Sequence, residues 1–204
     1  DLPADGSGPA PTWAGAALVD RVVLVGTPNA GSLEGLANLL DGAAFSWLLP
    51  RFPPAVLGTM PSIYQLLPRT RHGAVVEAGS GAPVDLYDVA TWERYGWGLL
   101  DPAEDDRLAE LLPNAAPGER RATAREHVAK SLARARQLHA ALDAPAAPPP
   151  GVHLSLISGD AEPTAARVEV AGDGSTRVVE TAPGDGTVLR SSAVMDERVG
   201  GTWQ

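Results

Sequence analysis

The sequence predicts an α/β protein with parallel strands, and three observations carry that prediction. Val22-Val23-Leu24-Val25 and Val152-His153-Leu154-Ser155-Leu156-Ile157 are strand-like runs, each closed by a glycine-containing turn. A long amphipathic pattern from Arg120 to Leu142 lies between them. Strand, helix, strand is the order in which a crossover joins parallel neighbours. Glycine and proline are abundant, at 22 and 19 of 204 residues, which favours turns and rigid loops over a bundle of long helices.

The elements follow in order. Asp1 to Pro11 is built from Gly, Pro and small polar residues and reads as a surface connection. The β-branched run at Val22 reads as a strand buried on both faces, and it ends at Gly26-Thr27-Pro28-Asn29. Ser32 then caps a helix whose Leu33, Leu36 and Leu40 follow the helical spacing, with Glu34 well placed in the first turn. From Phe45 to Trp97, prolines at 50, 53, 54, 61, 68 and 83 leave room only for short helices such as Ser62 to Leu67.

That irregular stretch holds both Phe (Phe45, Phe52), all three Tyr (Tyr64, Tyr87, Tyr95) and Trp47, Trp92 and Trp97. Rings gathered on a proline-rich segment either build its own core or cover something else. In the long helix, Val128, Leu132, Ala135, Leu138 and Leu142 share one face, and Arg121, Arg125, Lys130, Arg134 and Arg136 lie mostly away from it in solvent. Pro148-Pro149-Pro150-Gly151 bars its continuation. Arg167 to Val170 and Thr176 to Glu180 flank Gly172-Asp173-Gly174 as a hairpin, and the run Pro183-Gly184-Asp185-Gly186-Thr187-Val188 follows.

Composition removes several functional classes. The apolar fraction is 44% with no bilayer-length run, so neither a disordered chain nor a membrane span fits. There is no cysteine, hence no disulfide scaffold and no thiolate zinc site. Acidic residues outnumber basic ones 25 to 16, which argues against nucleic acid as a partner, because counterion release rewards Lys and Arg. His127 and His139 are twelve apart on the helix; at about 100° per residue they point a third of a circle apart and cannot chelate one ion. His72 sits in a basic loop and His153 begins a strand, so no histidine is assigned a catalytic or metal role and no cofactor is called for. The chain starts at Asp1 without a targeting segment and stops at Gln204 without a terminating signal, which reads as an internal piece of a longer protein of unknown location.

Asp185 is the candidate for chemistry. A carboxylate between two glycines, beyond the last strands, can approach another group closely. By itself the same pattern is an ordinary turn aspartate. The spaced oxygen ligands and terminal Glu of a calcium loop are absent.

Taken in series, Val22 to Ser32, Leu57-Gly-Thr-Met-Pro-Ser-Ile-Tyr-Gln-Leu-Leu-Pro68 and Gly184-Asp-Gly-Thr-Val-Leu-Arg-Ser-Ser-Ala193 resemble the lecithin:cholesterol acyltransferase-like branch of the α/β-hydrolase lipases. The likeness runs from about Trp13 to Ala193. It implies a partial α/β-hydrolase fold and a serine lipase, esterase or acyltransferase acting on lipid or other hydrophobic esters, with triad order Ser, Asp, His. Asp185 matches the acid, and Asp160, after the 152–157 strand, is the backup. The resemblance divides the chain into 1–44, a central strand and helix; 45–112, an inserted cap; and 113–204, the helix, strand, hairpin and acid loop. The cap would line an acyl-chain groove and touch lipid surfaces transiently, with Trp92 and Trp97 as the substrate-facing rings. Each methylene buried there contributes about 0.8 kcal/mol.

The departures are equally specific. No serine stands in Gly-x-Ser-x-Gly, since Ser32 lies in Ala30-Gly31-Ser32-Leu33-Glu34, and all four histidines precede Asp185. The nucleophile and base are therefore expected outside this chain, which alone should be inactive and, lacking neighbouring strands, prone to aggregate. No obligate partner is indicated. The alternative is a non-catalytic lipid- or ligand-binding module on a decayed hydrolase scaffold. A Gly-x-Ser-x-Gly upstream and a His downstream separate the two readings.

Overall fold

A computed structural model describes residues 12–44, 48, 50–144 and 146–195. The chain is an α/β protein, and its described residues form two sheets, one parallel and one mixed. β1 (Arg21–Val25) and β3 (His153–Ile157) pair in parallel, from Arg21 against His153 to Val25 against Ile157. The second sheet has the order β2-β4-β5. β4 (Glu162–Val170) and β5 (Thr176–Gly184) are antiparallel, with an irregularity between Ala165 and Val168. β2 (Val75–Glu77) adds to β4 in parallel, Val75 opposite Val168.

The helices are α1 (Leu33–Asp41), α2 (Pro54–Gly58), α3 (Pro61–Tyr64), α4 (Val89–Tyr95), α5 (Asp105–Leu111), α6 (Pro117–Asp143) and α7 (Arg190–Val194). Ser32 caps α1 as expected, accepting from the Glu34 N–H at 3.1 Å. α3 ends at Tyr64 rather than Leu67. The core joins Leu33, Leu36 and Leu39 of α1, Val128, Leu132 and Ala135 of α6, and the inward row Ala166, Val168 and Val170 of β4. Tyr64, Trp92, Tyr95 and Trp97 lie in the same cluster.

The 45–112 segment, expected as an inserted cap, supplies the aromatic centre of the core, and its β2 shares a sheet with the hairpin. Burying rings of this size removes more apolar surface from water than any other choice the sequence offers. Phe45 and Trp47 lie outside the described residues. The β1 strand is not buried on both faces: Val25 is 67% exposed and its partner Ile157 52%. A two-stranded parallel sheet covers neither of its own faces, and every residue of the pair except Leu24 is exposed. On α6, Leu142 is exposed while His139 is buried, because the loops at that end of the helix offer polar partners to an imidazole.

Candidate functional site

Three strand ends meet at Asp185. β1 closes at Gly26, whose N–H donates to the Ile157 carbonyl at 2.8 Å. β3 runs out toward Gly159, and β5 ends at Gly184, the residue before the acid. A Cβ on Gly26 would stand 3.1 Å from Asp185 Oδ2, and one on Gly159 would stand 3.1 Å from Asp185 Cβ. Glycine at both positions is what lets the aspartate lie against the carboxyl ends of the two parallel strands. In open α/β sheets that edge is where ligands bind.

The Asp185 carboxylate is held, exposed and only half used. Oδ1 accepts from the Thr187 N–H at 3.0 Å and the Val188 N–H at 2.8 Å, and the Asp185 N–H donates to the Val188 carbonyl at 3.2 Å. Gly186 sits at φ +89°, a backbone state that a side chain would strain. Among the described residues, Oδ2 accepts no hydrogen bond. Asp160 is exposed just beyond β3 at the same edge, but no hydrogen bond from the described residues fixes its carboxylate. Preorganisation therefore distinguishes the two acids: one is fixed in a turn with a spare lone-pair face, the other is not.

A polar staple, which sequence reasoning missed, joins the first and last motifs. Asn29 Nδ2 donates to the Ala193 carbonyl at 2.6 Å, Ser192 Oγ donates to the Gly31 carbonyl at 2.6 Å, and Ser192 Oγ accepts from the Ala30 N–H at 3.2 Å. Ser32 Oγ donates to the Thr187 carbonyl at 2.5 Å. Ser192 is fully buried. The only sequence trace of the staple is the run of small polar residues in each motif.

Trp92 and Trp97, expected as substrate-facing rings, are both buried. Trp92 is 0% and Trp97 3% exposed, and the two rings meet edge to face at 5.7 Å. Trp92 Nε1 donates to the Leu86 carbonyl and Trp97 Nε1 to the Gly174 carbonyl, each at 2.8 Å. Both indoles are thus fully satisfied core residues. A cavity of about 730 Å³ beside Trp97 is walled by Asp41, Glu93, Asp101 and the hairpin turn at Asp173 and Gly174. It lies at the opposite end of β4 and β5 from Asp185, roughly 25 Å along nine-residue strands.

No histidine bonds to Asp185. His139 is buried, its Nε2–H donating to the Gln65 carbonyl at 2.8 Å and its Nδ1 lying 3.0 Å from the Tyr87 hydroxyl, which also reaches the Leu67 and Pro68 carbonyls at 3.0 Å. Burial holds this imidazole below its ordinary pKa and pushes the Tyr87 phenol up. Nearby, Asp143 binds both Arg69 and Arg71. Burial alone would raise its carboxyl, but the two guanidiniums outweigh that and hold it below the usual carboxylate range. Among the described residues, no group of three or more His, Asp or Glu could hold a metal ion, and no helix is long and apolar enough to cross a membrane.

Comparison with protein-family models, with curated proteins and with solved structures finds no match to this chain.

Proposed function

We propose that this chain is part of a serine hydrolase or acyltransferase of the lecithin:cholesterol acyltransferase-like α/β-hydrolase type, acting on lipid or other hydrophobic esters. It supplies the triad aspartate, and the nucleophilic serine and catalytic histidine come from residues outside it. One observation carries the reading: Asp185 lies between two side-chain-free strand ends, with Oδ1 locked by backbone N–H groups and Oδ2 left over. That is what a triad acid needs. Oδ2 accepts the imidazole N–H, fixes its tautomer and stabilises the imidazolium formed as the serine gives up its proton. The three-motif resemblance supports the substrate class. With the two indoles withdrawn into the core, apolar contact with the acyl chain falls to exposed residues such as Met60 and Leu66. Leu66 is tied to the acid loop through Ser32, whose N–H donates to the Leu66 carbonyl and whose Oγ donates to the Thr187 carbonyl.

The test is ester hydrolysis by the intact gene product that contains this chain. Asp185→Asn should lower kcat on the order of 10³- to 10⁴-fold, while Asp160→Asn should leave it within a few-fold of wild type. The 204-residue chain alone should turn over no p-nitrophenyl ester. Full activity of Asp185→Asn, or a gene product without a Gly-x-Ser-x-Gly serine, overturns the assignment in favour of a binding module.

A further inference from the structure

We propose that Thr164 is a positioning residue for the Asp185 carboxylate; the inference rests on the reading of Asp185 as the triad acid. On the inward row of β4, Ala166, Val168 and Val170 are apolar, and Thr164 stands in the same row at 2% exposure. A hydroxyl so deeply buried needs partners, and both of its partners are backbone. Thr164 Oγ1 donates to the Glu162 carbonyl at 3.1 Å and accepts from the Gly186 N–H at 2.8 Å.

The proton is committed to Glu162, so the lone pair facing the acid loop is free for Gly186. A Cβ on Gly184 would fall 2.3 Å from Thr164 Oγ1 and 2.8 Å from Thr164 Cβ. The threonine and the last glycine of β5 thus interlock, leaving the loop one seat. Gly184 on one side of Asp185 is fixed by shape, and Gly186 on the other by a hydrogen bond. The Thr187 and Val188 N–H groups can then grip Oδ1 while Oδ2 stays against Gly26. Thr164 never meets the substrate or the imidazole. It acts only by setting where the carboxylate stands.

The experiment is a pH profile of kcat/KM for p-nitrophenyl butyrate in the intact gene product, comparing wild type, Thr164→Val, Thr164→Ser and Asp185→Asn. Valine keeps the shape of threonine and removes the acceptor, so kcat/KM should fall about tenfold. The acidic limb of the profile should also move to lower pH. A carboxylate that drifts from the imidazole no longer supports the imidazolium, whose pKa drops. Loss of folded enzyme would scale the profile down without moving that limb. Thr164→Ser should restore both rate and limb. Hydrogen exchange at Gly186, Thr187 and Val188 should quicken in Thr164→Val while the amides of the β4–β5 ladder stay protected.

An unchanged rate and limb in Thr164→Val, with Asp185→Asn still inactive, overturns the role of Thr164 and leaves the acid assignment standing. Full activity of Asp185→Asn overturns both. If Thr164→Val does not fold, Thr164→Cys, a weaker acceptor in the same place, is read by the same shift of the limb.

Discussion

A glycine at the end of a strand usually earns notice for its backbone freedom, but Gly159 matters here for the volume it leaves empty. Its φ is not in the left-handed region, and the atom a side chain would meet is Cβ of Asp185. The consequence is testable without touching the acid. Gly159→Val should push the carboxylate away from the strand edge and lower kcat/KM by at least tenfold in the intact gene product. The melting temperature should change little, because the residue is exposed. An active Gly159→Val would mean that the cradle is not needed. From sequence, Asp185 stands out through its flanking glycines, whereas Gly159 is marked only as the turn closing a strand and Thr164 carries no mark. Their roles exist only once β3, β4 and β5 bring distant residues to one place, and no local pattern encodes that convergence.

At the level of elements, long periodic segments were legible and short ones were not. The α6 stripe follows from hydrophobic period, the β1 run from its unbroken β-branched residues and the β3 run from its alternation, and the parallel pairing of the two strands follows from the helix between them. β2, α4 and α5 are three to seven residues long and fall inside a stretch dense in turns, so their periodicity has too few repeats to show. The inward turn of Trp92 and Trp97 was equally hidden, because a ring's identity does not say which side of a segment faces the core. The end of α6 adds a prediction. Because burial depresses the His139 imidazole, the unfolded chain takes up its proton first on acidification. That contribution to stability is complete above the ordinary histidine value of about 6.5 and is lost as pH falls through it. The melting temperature should therefore drop between pH 7.5 and 5.5, and His139→Gln should flatten the drop. The Asp143 cluster with Arg69 and Arg71 titrates separately, its stabilisation being lost only in the acid range of carboxylates. A wild-type curve flat across the neutral range would contradict the buried neutral imidazole.

For the whole molecule, the sheet of β1 and β3 sets the behaviour. Val23, Val25, Leu154 and Ile157 are each close to half exposed or more, and the strands present unpaired edges among the described residues. Such a surface recruits other strands. The 204-residue chain should self-associate with rising concentration in sedimentation velocity, and Val25→Lys with Ile157→Lys, which face the same side in register, should shift it toward monomer. A wild-type chain monomeric at all concentrations would show that the sheet needs no further cover. The same feature bears on how the protein is made. Val22 finds its partner Leu154 about 130 residues later, and at about 5–20 residues per second the ribosome needs on the order of ten seconds to deliver it. Through that interval a greasy segment stands without its mate. For any holdase on the nascent chain, the waiting time would be set by the length of sequence between the two strands.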